Sequence, residues 1–305
     1  MISVIIVNWN AGALLKNAVS SLQSQHLVDE IIVVDNGSTD NSAELVEHFE
    51  KIKLIRTGKN LGFAAACNIG ANGSKSEYLI FLNPDATVNQ DTLEKALAYM
   101  QKPENSAVGI CGVQLIDEKG NISRSCAKFP STSTLAAHTL GLDRILPKFG
   151  YGMSDWNHNT TKKVDHVIGA FYLIRRKIFE DAHGFDERFF VYLEDLDLSY
   201  RVATAGWSSV YLADVQAFHA GGGTSNQVKA KRLFYSLRSR VLYAFKHLSF
   251  LNALLILLLT FLVEPLSRSA YAIARGSWQN IKETWVAYLM LLTWLPRWLI
   301  SGKTR

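Results

Sequence analysis

The sequence predicts an α/β fold with a Rossmann-like, mostly parallel sheet covered by helices on both faces, followed by membrane-associated helices. Two observations support this prediction. Residues 1 to about 110 alternate short β-branched runs with helical patterns, and the last eighty or so residues change to basic and long apolar segments. We therefore expect an α/β domain at residues 1–225 and a membrane-associated region at 226–305.

Each element of the α/β part follows from its local pattern. Apolar runs predict strands, and helical periodicity predicts helices between them. Asn41 or Ser42 can cap the second helix. Residues 112–163 have little periodicity and read as a loop-rich stretch. The predicted strands are 2–7, 30–34, 52–56, 78–82, 107–111 and 167–174. The predicted helices are 12–24, 42–50, 62–72, 90–101, 176–182 and 195–205.

Composition narrows the class of protein. The chain has 305 residues and a formal charge of +5, and we find no nucleic-acid-binding motif in it. Its three cysteines lack Cys-x-x-Cys spacing, so we expect reduced, structural thiols. The N-terminal apolar run ends at Asn8 without a preceding basic segment, which predicts a strand and not a signal peptide.

Five segments carry polar side chains that suit a ligand site, and the first three of them directly follow the apolar runs of predicted strands. Open α/β sheets bind ligands beyond the carboxyl ends of their strands, so these residues predict a site for a nucleotide diphosphate and a metal. The order of these segments along the chain indicates an enzyme that uses a nucleotide. The segments are Val7-Asn8-Trp9-Asn10, Val34-Asp35-Asn36-Gly37-Ser38, Leu82-Asn83-Pro84-Asp85, Leu193-Glu194-Asp195-Leu196-Asp197, and Phe218-His219 before three glycines.

Asp35 is the candidate residue at the end of the second predicted strand. Its carboxylate can accept a hydrogen bond from a pyrimidine ring N–H, and the residues after it turn the chain tightly beside a ligand. The alternative is a turn that only ends a strand. A dehydrogenase is a further alternative, but no Gly-x-Gly-x-x-Gly follows the first strand.

The ordered set of segments resembles glycosyltransferase family 2, and within it the bacterial rhamnosyltransferases that build surface polysaccharide. The set closes with Gly184-Phe185-Asp186-Glu187-Arg188-Phe189-Phe190 ahead of Glu194-Asp195-Leu196-Asp197-Leu198-Ser199, and the resemblance runs from Ile2 to about Ser225. It implies the GT-A fold and inverting transfer in a single displacement. The family's metal motif is often Asp-x-Asp, whereas this chain has Asn83-Pro84-Asp85.

The resemblance also implies a role for each candidate residue. Asp195 would be the catalytic base and Glu194 would orient the acceptor. Asp85 and His219 would hold Mg²⁺ or Mn²⁺ at the diphosphate. Two plainer alternatives stand beside these roles, namely acids that cap a helix and a histidine that only packs. The residues implied to bind the donor nucleotide are Asn8, Asp35, Gly62, Asn68 and Asn83.

The implied reaction moves a hexose, with L-rhamnose from dTDP-rhamnose as the first choice of donor. The acceptor would be a saccharide on a polyprenyl diphosphate, as in O-antigen or other cell-surface polysaccharide synthesis. One alternative is a UDP-hexose donor. The other is an inactive, membrane-associated protein that binds nucleotide sugars.

The C-terminal region predicts contact with anionic membrane lipid. Six basic residues and no acid lie between Lys229 and Lys246, directly before the apolar run 248–263, and a second run spans 285–295. Each run is short for a membrane crossing, so interfacial helices on the cytoplasmic face of the bacterial inner membrane fit better. A packed helical subdomain or a dimer interface is the alternative.

Overall fold

A computed structural model describes residues 1–221, 229–302 and 304. The chain forms two compact units. The first contains Met1–Ala127, Asn157–Glu187 and Glu194–Thr224, and the second contains Lys128–Trp156, Arg188–Leu193 and Ser225–Arg305. The second unit thus includes two stretches from before residue 225. The predicted domain boundary at 225 and two of the three glycines after His219 lie outside the described residues.

The secondary structure follows the chain in this order. The strands are β1 Ile2–Asn8, β2 Val28–Asp35, β3 Ile52–Arg56, β4 Tyr78–Leu82, β5 Ala86–Val88, β6 Val108–Ile116, β7 Cys126–Ala127, β8 Lys162–Val164, β9 His166–Val167, β10 Phe171–Arg175 and β11 Ser208–His219. The helices are α1 Ala13–Gln23, α2 Phe63–Asn72, α3 Thr92–Gln101, α4 Thr132–Leu140, α5 Leu142–Ile145, α6 Arg176–Asp181, α7 Glu194–Thr204, α8 Lys229–His247, α9 Phe250–Leu258, α10 Glu264–Ala274 and α11 Trp278–Ser301.

The predicted helix at 42–50 is wrong, because that segment forms consecutive turns. Its hydrogen bonds join residues three apart, from Val46 N to Ala43 O and from Phe49 N to Val46 O. Ser42 donates its hydroxyl proton to Asp40 and accepts from Asn8, and it does not cap a helix. Local polar bonds therefore outcompete the helical pattern.

The predicted strand at 167–174 is also interrupted, since residues 168–170 separate β9 from β10. Within this break the Gly169 N–H bonds a side chain of α7, and the Ala170 carbonyl accepts from the backbone of Asn83. The backbone there is used to join other elements and not to extend a strand. Most of the other predicted elements are present with small shifts at their ends.

The sheet is parallel on one side and mixed on the other. Its order is β3-β2-β1-β4-β10-β6-β11-β5, with β8 beside β11. Strands β3, β2, β1 and β4 pair in parallel, while β10 is antiparallel to both β4 and β6. Strand β11 is parallel to β6. The ends of β1, β2, β4 and β11 and the start of β10 consequently lie at one edge of the sheet.

One helical segment of the second unit has an apolar face inside and another outside. In the segment Phe250–Ala274, α9 and α10 are joined by a π-helical turn at Leu259–Val263. By length and composition it is the one helix among the described residues that could cross a membrane, and only 28% of its most apolar window is buried. Every fourth or third residue faces inward: Ala253, Ile256, Thr260 and Glu264.

Two arginines predicted to contact lipid are instead buried in the second unit, so that prediction is wrong for them. The Arg238 guanidinium lies over the rings of Phe234 and Tyr235, and Arg240 pairs with Glu264 of α10. Burial is possible because aromatic faces and a carboxylate replace water around the two charges.

Candidate active site

The first part of the site lies where β1 and β2 end. The Asn8 side-chain nitrogen lies 3.0 Å from the Asp35 carboxylate and 3.0 and 2.8 Å from the hydroxyl groups of Ser38 and Ser42, and its two hydrogens are shared among these three acceptors. Asn8 is fully buried, and Asp35 is buried as well. The structure thus brings these two predicted donor-binding residues together, with Asn8 orienting the Asp35 carboxylate.

Asn36 ties this strand end to the loop that enters α2. Its side-chain oxygen accepts the Leu61 N–H at 2.8 Å, and its amide donates to the Gly62 carbonyl at 3.2 Å. Gly37 has φ +77°, and a Cβ there would lie 2.7 Å from the Lys59 carbonyl carbon, so a side chain does not fit. Beyond the turn expected of the residues after Asp35, Asn36 therefore also links the end of β2 to the start of α2.

Asn68 lies on α2, and its amide clamps the turn that follows Gly184. Its oxygen accepts the Phe185 N–H at 2.9 Å, and its nitrogen donates to the Phe185 carbonyl at 2.9 Å and to Glu187 at 3.2 Å. These bonds occupy the polar atoms of the amide. Contact between Asn68 and a donor nucleotide stays a prediction.

The second part of the site lies where β4 and β11 end. Strand β5 pairs with β11 so that Ala86 is opposite His219, and this register places the histidine beside Asp85. The distance from His219 Nε2 to Asp85 Oδ1 is 3.3 Å, and that from Nε2 to the Asn83 amide nitrogen is 3.4 Å. The Asp85 and His219 side chains are largely buried.

Asp85 and His219 fit one divalent metal ion. Metal–ligand bonds of about 2.1 Å let two ligand atoms stand up to about 4.2 Å apart, and 3.3 Å lies within that limit. A carboxylate with an imidazole suits Mn²⁺, and the carboxylate also suits Mg²⁺. Across residues 1–221, 229–302 and 304 there is no group of three or more His, Cys, Asp or Glu that could hold a metal.

The third part of the site is the Asp195 carboxylate in the first turn of α7. Its Oδ2 accepts the Gly169 N–H at 2.7 Å, and its Oδ1 accepts the Leu196 N–H at 2.8 Å. A Cβ at Gly169 would lie 3.3 Å from Oδ2, so a larger residue would crowd this bond. The side chain is 17% exposed, which leaves the fixed carboxylate open to a ligand.

Gly169 also connects Asp195 with the metal-ligand candidates. The residue after it, Ala170, accepts a hydrogen bond from the backbone of Asn83, two residues before Asp85. Strand β10 then begins at this same edge of the sheet. The break between β9 and β10 therefore brings Asp195 to the edge where the other candidate residues lie, and sequence reasoning missed this role of Gly169.

The two acids beside Asp195 differ from it in their surroundings. Glu194 is buried, and burial together with the charges of Asp195 and Asp197 holds the pKa of its carboxyl well above the ordinary value. Asp197 is buried too and pairs with Arg201 at 2.9 Å. An acceptor-orienting role for Glu194 stays a prediction.

A model of the family described as glycosyl transferase family 2 matches residues 3–182. The chain belongs to glycosyltransferase family 2. It is therefore a glycosyltransferase, and the dehydrogenase alternative is excluded.

Curated relatives of this glycosyltransferase include several rhamnosyltransferases. N-acetylglucosaminyl-diphospho-decaprenol L-rhamnosyltransferase of Mycobacterium tuberculosis is 26% identical, over 76% of this chain and 80% of the relative. Rhamnosyltransferase WbbL of Escherichia coli K12 is 30% identical, over 72% of this chain and 82% of the relative. The O-antigen chain rhamnosyltransferase RfbN of Salmonella typhimurium is 25% identical, over 74% of this chain and 68% of the relative.

Solved structures confirm the predicted GT-A fold. Staphylococcus aureus TarS 1–349 in complex with UDP-GlcNAc gives a TM-score of 0.55 at 17% identity, over 94% of this chain and 79% of that one. The mannosyltransferase PcManGT from Pyrobaculum calidifontis, in complex with GDP-Man and Mn²⁺, gives a TM-score of 0.55 at 19% identity, over 99% of this chain and 81% of that one.

Proposed function

We propose that this glycosyltransferase moves L-rhamnose from dTDP-rhamnose to a saccharide on a polyprenyl diphosphate, in the synthesis of a cell-surface polysaccharide. The observation that carries the proposal is the Asp195 carboxylate, fixed by two backbone N–H groups and partly open to a ligand. The names of the relatives support the sugar and the lipid carrier.

The donor nucleotide binds at the ends of β1, β2 and β4. Asp35, oriented by Asn8, accepts a hydrogen bond from the pyrimidine ring N–H, and Asn83 contacts the ribose. The backbone around Gly62 approaches the nucleotide closely. Asp85 and His219 would hold Mg²⁺ or Mn²⁺, which when bound offsets the negative charge of the departing diphosphate.

Asp195 acts as general base. It takes the proton of the acceptor hydroxyl while the hydroxyl oxygen attacks the anomeric carbon from the side opposite the nucleoside diphosphate. The bond to the diphosphate breaks in the same displacement, and its electron pair leaves with the phosphate oxygen. The sugar configuration inverts because no covalent intermediate forms.

The second unit supplies contact with anionic lipid at the cytoplasmic face of the bacterial inner membrane. Opposite the buried face of segment Phe250–Ala274 runs a stripe of exposed leucines at helical spacing, which we call the leucine stripe. Such a one-sided helix lies in the membrane interface. The leucine stripe is Leu251, Leu255, Leu258, Leu262 and Leu266, with exposed fractions of 75, 44, 47, 63 and 62%.

The donor assignment is tested with purified protein and a panel of nucleotide sugars. We expect dTDP-rhamnose to release free nucleoside diphosphate faster than UDP-glucose, UDP-galactose or UDP-N-acetylglucosamine. Preference for a UDP-hexose would overturn the choice of donor but keep the reaction class. Release from none of these donors, in the presence of Mn²⁺ and lipid-linked acceptors, would support the inactive, nucleotide-sugar-binding alternative.

A further inference from the structure

His166 is a buried histidine behind Asp195, and the proposed function leaves it without a role. It is 3% exposed, and its ring lies between Asp195 and Ser199 of α7. The distance from Nε2 to Asp195 Oδ2 is 3.7 Å, and that from Nδ1 to the Ser199 hydroxyl oxygen is 3.0 Å. Both ring nitrogens of His166 therefore face α7, the helix that carries the proposed base.

The hydrogen bonds of Ser199 determine which ring nitrogen carries the proton. Ser199 donates its one hydroxyl proton to the Asp195 carbonyl at 2.9 Å, because a carbonyl can only accept. Its oxygen must then accept from His166 Nδ1, and also from Tyr172, whose hydroxyl lies 3.0 Å away. Burial raises the pKa of the Tyr172 hydroxyl, so this group keeps its proton and can donate.

Nε2 of a neutral His166 is thus an acceptor that faces Asp195. Burial lowers the pKa of His166, and the carboxylates of Asp195 and Asp165 oppose this shift. With the imidazole neutral and Asp195 ionised, two acceptor atoms face each other, which accounts for a separation of 3.7 Å in place of a hydrogen bond.

We propose that His166 is a positioning residue that accepts a hydrogen bond from Asp195 once Asp195 has taken the acceptor's proton. This inference rests on the proposed role of Asp195 as base. In the transfer step the Asp195 carboxylate takes the proton from the acceptor oxygen as that oxygen bonds to the anomeric carbon, and the O–H of the resulting carboxyl group then reorients and donates to His166 Nε2. The imidazole stabilises the protonated base and so makes Asp195 a stronger one.

Two variants separate this role from simple packing. His166→Asn keeps a nitrogen near the Nδ1 position for Ser199 but removes the acceptor that faces Asp195. We expect its kcat to fall about ten-fold, the value of one net hydrogen bond, with donor KM within two-fold of wild type. The matched control, Tyr172→Phe, removes a hydroxyl from the same network without facing Asp195, and its kcat should stay within two-fold.

The pH profile gives the direction of the effect. Loss of an acceptor that favours protonated Asp195 moves the acid limb of kcat to lower pH, by about one unit for a ten-fold effect. An unchanged limb would show a packing role only, and a limb moved to higher pH would show a charged imidazolium. Either result overturns the proposal. Near-normal turnover of Asp195→Asn would instead overturn the proposed base itself.

A measurement on the wild-type protein does not depend on the variants folding. The ¹⁵N chemical shifts of the His166 ring at neutral pH should show a proton on Nδ1 and none on Nε2. A proton on Nε2 would overturn the proposal, because that nitrogen could not accept from Asp195.

Discussion

The two units of this glycosyltransferase treat polar and apolar side chains in opposite ways. In the first unit the candidate site residues are buried or half-buried carboxylates and amides, each fixed by backbone N–H groups or neighbouring side chains. In the second unit large apolar side chains face outward along the leucine stripe, while Arg240 and Glu264 are buried. The first unit therefore buries and fixes its polar groups, whereas the second unit exposes an apolar surface.

Chelation should have the largest effect, and it acts on the first unit alone. Activity should fall to background in excess EDTA and return with Mn²⁺ or Mg²⁺, because Asp85 and His219 would otherwise have no cation with which to hold the diphosphate. Asp85→Ala should be more damaging than His219→Ala, since the carboxylate provides charge as well as a ligand. Full activity in EDTA would show that the transfer reaction needs no divalent metal ion.

Asp195→Asn should lower kcat by about 10² to 10⁴-fold while leaving donor affinity nearly unchanged, because it removes only the proton acceptor. Turnover and donor binding are measured separately, by diphosphate release and by titration calorimetry. Asp214→Asn, at an exposed position of β11, is the matched control and should behave as wild type. Near-normal turnover of Asp195→Asn would exclude it as the base.

Arg240→Met tests the buried charges of the second unit. It leaves the nearly buried Glu264 carboxylate with Arg268 alone, so we expect the free energy of unfolding to fall by about 3 kcal/mol. Denaturant unfolding measures this, with Lys282→Met at an exposed position as the control. A change below 1 kcal/mol would mean that the pair contributes little to the second unit.

High salt should have the smallest of these effects, a partial loss of binding to anionic vesicles. The basic residues predicted to contact lipid include Arg238 and Arg240, which are buried, so the exposed charges at the start of α8 are Lys229, Lys231 and Arg232. High salt weakens only attraction to these residues, and flotation with anionic vesicles should fall in part. Complete release in high salt would mean that the leucine stripe adds no attachment.

Much of the parallel half of the sheet could be predicted from sequence, because its strands are continuous apolar runs that end in polar residues. Asn8 and Asp35, at the ends of β1 and β2, are adjacent for the same reason, because parallel register makes sequence position at a strand end equivalent to position in space. Asp85 and His219 are adjacent for a different reason, namely the antiparallel pairing of β5 with β11.

The missed features depend on side-chain contacts that the hydrophobic pattern of the sequence does not show. The segment 42–50 has a helical pattern, but Asp40 and Asn8 bind Ser42 and the helix does not form. Gly169 interrupts a predicted strand because its N–H is needed by Asp195. Similarly, the charge pattern of α8 does not indicate that Arg238 and Arg240 turn inward. Two of the rings around Arg238 belong to the same helix, but the Phe190 ring and the Glu264 carboxylate come from elsewhere in the chain.

Stretches 128–156 and 188–193 belong to the second unit, so a truncation after residue 225 would remove only part of that unit. Helix α4 packs on α9, so removing everything after residue 225 would uncover apolar surface on α4. Substitutions in the full-length chain are the sounder approach. Leu251→Ser/Leu262→Ser alters the leucine stripe at two of its most exposed positions, and Leu45→Ser changes an exposed leucine of the first unit as the control.

The most direct test measures diphosphate release from dTDP-rhamnose and flotation with anionic vesicles in the same samples. We predict that Asp195→Asn floats like wild type but does not support transfer to a lipid-linked acceptor. The Leu251→Ser/Leu262→Ser variant should lose most of its flotation but still release diphosphate slowly with water as acceptor, and Leu45→Ser should float and transfer like wild type. Full flotation of the leucine-stripe variant, or active transfer by Asp195→Asn, would contradict the division of roles between the two units.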